Sequence, residues 1–200
     1  MDSDLTRKLI ETVAQSLIAA EEELTALDQA IGDGDHGINM KRGATAVLDG
    51  LDGIVEKPTG EALKATGMQL VMKVGGASGP LYGTLLMSLG KAWPESLDRA
   101  GLAGALEAAL AAVKARGKSD LGQKTMLDVL GPAIEALAAG KSLEEITAVA
   151  KAAAEATVPM QAVRGRASFL GERSIGHMDP GARSSQLCIA VICEVLEGVQ

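Results

Sequence analysis

Aromatic side chains are almost missing: the 200 residues hold one Trp, one Tyr and one Phe. Leu, Val, Ile and Met must therefore fill any core, and abundant Ala should let helices approach closely. Cysteine is as scarce, and Cys188 and Cys193 fall in an apolar helical pattern near the C-terminus rather than in a loop framework. They read as small core residues in a reducing cytoplasm, not as a disulfide or a metal pair. No stretch reaches the ~18 apolar residues that a membrane span needs. Asp2, Asp4, Arg7, Lys8 and Glu11 interrupt what would be the core of a secretory signal. No long basic stripe is present either, and the net charge is -7. Phosphate backbones attract clustered Lys and Arg, so nucleic acid is excluded as a partner and a cytoplasmic protein away from membranes is expected.

Alternating runs that would make strands are also nearly absent, and the pattern reads as helix after helix. Leu5, Leu9, Val13 and Leu17 predict a first helix reaching about Ala26. Ala44, Val47, Leu48 and Leu51 predict a second, and Leu63, Gly67, Leu70, Val71 and Val74 a third that stops at Gly75-Gly76. A fourth begins beside Pro80, a good first-turn residue, and ends before Pro94. Leu102, Leu106, Leu110 and Val113 mark a fifth, and Met126, Val129, Leu130, Ile134 and Leu137 a sixth, expected to kink or break at Pro132. Ser142 and Glu145 form a capping box at the start of a seventh, and Leu187 to Val195 places the eighth. The expectation is one all-α domain over residues 1–200, eight amphipathic helices in a bundle or ring with antiparallel neighbours.

Three segments break the helical pattern. From Asp28 to Met40, three carboxylates (Asp28, Asp33, Asp35) crowd into eight residues with glycines between them. A hard divalent cation with oxygen ligands would relieve their repulsion; a solvated acidic turn is the plainer alternative. Gly32, Gly34 and Gly37 spell G-x-G-x-x-G, but a helix precedes them and carboxylates fill the gaps, so the dinucleotide-binding reading fails. In Gly75-Gly-Ala-Ser-Gly-Pro80, small residues, the Ser78 hydroxyl and a new helix N-terminus suit a phosphate, or else simply allow a tight helix-helix connection. Gly117-Lys-Ser119 and Gly140-Lys-Ser142 lack the earlier glycine of a P-loop, with Ala112 and Glu135 in its place. Between Arg164 and Arg183, four arginines in an irregular stretch could neutralise phosphates, answer the acidic cluster or form a surface loop, and the length favours a working lid.

Asp28 through Met40, Gly75 to Pro80, Gly122-Gln-Lys-Thr-Met126, Gly165-Arg-Ala-Ser-Phe-Leu-Gly-Glu-Arg-Ser174 and Gly176-His-Met-Asp-Pro-Gly181 together resemble the L subunit of bacterial dihydroxyacetone kinase. The likeness runs from about Leu5 to Val195, and it favours the phosphotransferase-system-dependent type. It implies a barrel of eight helices whose loops at one end hold ADP or ATP. By motif, Asp28, Asp33 and Asp35 would ligate two magnesium ions. His36, Gly37, Asn39, Ala77, Ser78 and Gly79 would contact phosphates and ribose. Gly122, Thr125, Met126, Arg166, Asp179 and Gly181 would line the rest, with Met126 against adenine. Gln123 departs from the Asp usual in that motif.

The implied chemistry is phosphoryl transfer by positioning and charge neutralisation, with no catalytic nucleophile on this chain. The implied partners are a K subunit that holds a small ketose and a phosphohistidine M subunit that recharges retained ADP. An ATP-dependent mode, a complex with a transcriptional regulator and a homodimer are the alternatives it leaves open. His36 is balanced between a phosphate or metal-supporting contact and a structural hydrogen bond, whereas His177 reads as structural.

Overall fold

The computed structural model describes residues 2–199, and among them no strand occurs. The helices are α1 (Ser3–Ala19), α2 (Glu21–Ile31), α3 (His36–Asp49), α4 (Leu51–Val55), α5 (Thr59–Lys73), α6 (Ser78–Lys91), α7 (Arg99–Gly117), α8 (Leu127–Ala138), α9 (Leu143–Ala156) and α10 (Pro180–Glu197). A 3₁₀ segment, Arg166–Ser174, interrupts the long stretch before α10. Ten α-helices thus replace the eight expected among the described residues.

The two extra helices have local causes. The first predicted helix breaks at Ala20, where the backbone turns (φ -87, ψ 7), and three glutamates in the next turn start α2 with charges that suit its positive end. The second starts eight residues before Ala44, because the Asp28 carboxylate accepts the free amides of Asp35 and His36 and caps α3 from the end of α2. Gly50 then separates the short α4. At Pro132 the expectation of a kink or break gives way to a continuous α8. The proline lies early in that helix, so it forfeits one backbone bond, to the carbonyl four residues back in the first turn. The capping box is present: Glu145 N donates to Ser142 Oγ at 3.1 Å and Ser142 N to Glu145 Oε2 at 2.9 Å.

Packing order follows α1, α3, α5, α6, α7, α8, α9 and α10, and α10 packs on α1 again. The core is aliphatic, as the composition demands: Leu17, Leu24, Met40, Val113, Leu127 and Ile134 meet in its largest cluster, and Tyr82 is the one aromatic in it. No helix among the described residues is long and apolar enough to cross a membrane. Both cysteines are free, and burial pushes the Cys188 thiol up to about 12.

Glycine sets the closest approach. A Cβ at Gly67 would lie 2.8 Å from the Gly83 carbonyl oxygen, and one at Gly90 would lie 2.3 Å from that of Gly60. α5 and α6 are therefore antiparallel and touch backbone to backbone at two points, seven residues apart on each helix. This contact fixes the α5–α6 connection, which borders the candidate site described below. Gly90→Ala should lower stability by about 1–3 kcal/mol through overpacking, despite the helix propensity it gains. Gly104→Ala, on an exposed turn of α7 with no neighbour within 4 Å, should raise stability by about 1 kcal/mol. Urea midpoints of the two variants check the contrast.

Candidate functional site

Asp28 sits in the last turn of α2 and is 8% exposed. Its Oδ2 accepts hydrogen bonds from Asp35 N at 2.8 Å and His36 N at 3.1 Å. A Cβ at residue 32 would lie 2.1 Å from Asp28 Oδ1, so only glycine leaves that oxygen accessible. Gly34, at φ +75, turns the chain so that Asp33 and Asp35 face Asp28. One oxygen from each of the three aspartates lies within 4.8 Å of the others. An all-oxygen donor set in a preformed cradle fits a hard divalent cation such as magnesium. Arg166 Nε lies 3.0 Å from Asp33 Oδ2 and answers part of this charge.

The cluster forms one wall of a cavity of about 410 Å³. Residues at the N-terminal ends of α3, α6, α8 and α10 border the same space: His36, Ser78, Leu127 and Pro180. The positive dipole ends of four helices make this space attractive to an anion. Arg116, Arg164 and Arg166 add positive side chains. The cavity thus brings carboxylates and positive groups to one space, and a polyphosphate bound with a cation satisfies both.

Of the residues singled out in the sequence, Asp28, Asp33, Asp35, His36, Ala77, Ser78, Thr125, Met126, Arg166, Asp179 and Gly181 border this cavity. Gly37, Asn39, Gly79 and Gly122 do not. A Cβ at Gly37 would lie 2.1 Å from the Glu21 carbonyl oxygen, and one at Gly79 2.4 Å from that of Val74, so both allow close chain crossings. Asn39 is buried and its Oδ1 accepts from Arg42. Gly122 holds φ +79, and its amide donates to Asp128 Oδ1 in a short bond. Gln123 does not border the cavity: its Oε1 accepts from Asp120 N and Arg164 Nε, both at 3.2 Å, and so ties two loops together. His177 is exposed and contributes its backbone carbonyl.

Sequence reasoning missed Lys124, although it quoted the motif that contains it. The side chain is 1% exposed, and Nζ donates to the carbonyls of Thr157 at 2.7 Å, Met160 at 3.1 Å and His177. One ammonium thereby gathers the loop after α9 and the segment before α10 onto the start of α8. Its backbone at φ +60, unusual outside glycine, is the cost of this placement. Asp128 completes the corner by accepting the Thr125 amide at 2.7 Å. Burial drives the pKa of Asp179 up to about 7, against the opposing pull of the Ala182 amide and Lys124. Burial likewise lowers that of His36, against the carboxylates of Asp28 and Asp35. Its Nδ1 lies 3.0 Å from Ser78 Oγ and its Nε2 2.9 Å from Ser184 Oγ.

Residues 30–194 match the family described as the DAK2 domain. The chain belongs to the DAK2 domain family. DAK2-domain relatives include a Listeria innocua protein named PEP-dependent dihydroxyacetone kinase 1, ADP-binding subunit DhaL, 44% identical over 188 residues that cover 93% of each chain. The Escherichia coli PEP-dependent dihydroxyacetone kinase ADP-binding subunit DhaL is 46% identical over 173 residues, 82% of each. Among solved structures, the dihydroxyacetone kinase of C. freundii in complex with AMP-PNP and Mg2+ superposes with a TM-score of 0.76 at 28% identity. That match covers 98% of this chain and 34% of the other, so the chain spans about a third of that kinase's length.

Two outcomes test the scaffold of this DAK2 site. Lys124→Met leaves buried carbonyls without a donor and should cost about 2–3 kcal/mol in urea unfolding. Asp179 has a folded pKa of about 7 and, when unfolded, one near ~4. The fold favours the protonated acid, so this contribution to stability is complete below ~4 and is lost as pH rises through about 7. Asp179→Asn, which keeps an acceptor for the Ala182 amide, should flatten the stability decline between those limits when unfolding is followed as a function of pH.

Proposed function

We propose that this chain is the ADP- or ATP-binding subunit of a dihydroxyacetone-type kinase, a phosphotransferase whose nucleotide occupies the cavity between the aspartate cradle and the four helix starts. The observation that carries the reading is this juxtaposition: three carboxylate oxygens within 4.8 Å of one another, bordering one space with the starts of four helices and with Arg116, Arg164 and Arg166. Carboxylates alone repel a polyphosphate, and cations alone would not need the cradle. The names of the relatives, which specify an ADP-binding subunit, support it, as does the AMP-PNP and Mg2+ in the C. freundii kinase.

Asp28, Asp33 and Asp35 hold the metal, as two ions shared among the three carboxylates. Magnesium, when bound, neutralises the phosphate oxygens and fixes their geometry. Ser78 and the amides at the start of α6 receive the phosphates, Arg166 reaches in from the 3₁₀ segment, and Met126 offers its apolar side chain to the base. The reaction needs no protein nucleophile, and the chain acts by positioning and by charge neutralisation. The acceptor is then a small ketose held on a separate K subunit. PEP dependence in the relatives' names favours the mode in which ADP stays bound and a phosphohistidine M subunit recharges it.

Asp33→Ala should abolish magnesium-dependent ADP binding, a loss of at least about 100-fold by calorimetry, while leaving the helical circular dichroism intact. EDTA should do the same to the wild type. Full ADP affinity in the variant would refute the metal assignment. The nucleotide released from purified protein, identified by mass spectrometry, together with a transfer assay supplied with ATP or with a phosphohistidine carrier, separates the two donor modes.

A further inference from the structure

From the cavity wall an uninterrupted line of polar side chains runs into the interior. Ser78 Oγ lies 3.0 Å from His36 Nδ1, His36 Nε2 lies 2.9 Å from Ser184 Oγ, and Ser184 Oγ lies 2.8 Å from Tyr82 Oη, which is also 2.8 Å from Ser185 Oγ. Ser184 is fully buried, Ser185 is 1% exposed, and His36 and Tyr82 are 7% exposed each, so water does not compete within the line. Ser78, His36 and Tyr82 border the cavity, whereas Ser184 and Ser185 do not. The Tyr82 hydroxyl is engaged with the two serines, which leaves the Ser78 hydroxyl as the group of the line nearest a bound anion.

A neutral imidazole has one N–H, which permits two self-consistent arrangements. In the first, Nε2–H donates to Ser184, whose own hydroxyl donates to the Pro180 carbonyl at 3.0 Å. Ser78 must then donate to Nδ1, and it shows only lone pairs to the cavity. In the second, Tyr82 donates to Ser184, Ser184 donates to Nε2, and Nδ1–H donates to Ser78. The Ser78 proton is then free to point at an anion. An anion at Ser78 stabilises the second arrangement along its whole length, because each donor polarises the next.

We propose that Ser184, backed by Tyr82, is a positioning residue that holds His36 as the Nδ1–H tautomer and so turns the Ser78 hydroxyl into a donor to a nucleotide phosphate. This rests on the nucleotide reading above. It assigns His36 a role through Ser78 rather than as an acid or base, and it gives Tyr82 a polar task beyond its packing.

The test is ¹⁵N NMR of protein labelled at histidine, with and without magnesium and ADP, alongside calorimetric ADP binding. The chain has two histidines, so His177→Gln assigns the rings. The expected result is a single proton on Nδ1 of His36 in the wild-type complex. Ser184→Ala and Tyr82→Phe should each weaken ADP binding about tenfold, the worth of roughly one hydrogen bond, and Ser184→Ala should redistribute the proton between the two nitrogens. A proton on Nε2 in the wild-type complex, a doubly protonated ring, or wild-type affinity in both variants overturns the relay. Tyr82→Phe removes one oxygen and keeps the core ring, so the test survives if Ser184→Ala fails to fold. Failure of the wild type to bind ADP with magnesium is a separate result: it sinks the nucleotide reading, and the relay with it.

Discussion

The constraint on which this molecule turns is the crowding of three aspartates. Like charges within 4.8 Å of one another repel. A fold that holds them there must supply compensation from fixed groups, and much of the architecture around α2 and α3 serves that end. Two backbone amides converge on Asp28 Oδ2, and that same bonding pattern starts α3. Gly32 leaves the other oxygen room, and Gly34 makes the turn that returns Asp35 to the cluster. The cap of a helix and the floor of the candidate metal site are thus one interaction, so neither can be altered without the other.

A matching constraint governs the opposite wall. Lys124 is a buried cation whose partners are carbonyls from two separate stretches of chain, and burial lowers its pKa against the opposing pull of Asp179. Desolvating an ammonium is expensive, and several well-placed carbonyls offset that expense only if all of them stay in place. The loop after α9, the segment before α10 and the start of α8 are therefore coupled. This coupling brings Thr125, Met126, Asp179 and Gly181 to one side of the cavity although up to fifty-odd residues separate them in the chain.

Periodicity revealed most helices, because each apolar stripe faces one aliphatic core and the scarcity of aromatics leaves little else to fill it. The Ser142 box was legible for the same local reason. The start of α3 was not, since its cap comes from a carboxylate seven and eight residues earlier. Nor was the 3₁₀ segment, whose Gly171 (φ 56, ψ -128) splits it into two short turns without a stripe. In the candidate site, the aspartates and Ser78 announced themselves by chemistry at odds with a plain connection. Glycine was ambiguous: Gly37 and Gly79 lie inside phosphate-like motifs, yet they sit against backbone carbonyls of neighbouring turns. Lys124 was hidden because nothing local distinguishes a lysine that will be buried from one that will be solvated. The paired glycines of α5 and α6, by contrast, carry a spacing of seven that could have been read as a close antiparallel contact.

The Arg166–Asp33 pair shows how the site can be both charged and open. With the arginine side chain 68% exposed and the aspartate 35%, solvent screens the attraction, and such pairs contribute little, about 0–1 kcal/mol. An arginine buried against Asp33 would have locked the cradle, since a cation would then have to break a desolvated pair. Here the guanidinium screens the acidic cluster while leaving Asp33 free to exchange partners at small cost. Arg166 itself lies between two glycines at positive φ, Gly165 and Gly171, at the start of the 3₁₀ segment. The ends of α2 and α3 hold the aspartates, and Arg166 adds a solvent-exposed positive charge beside them.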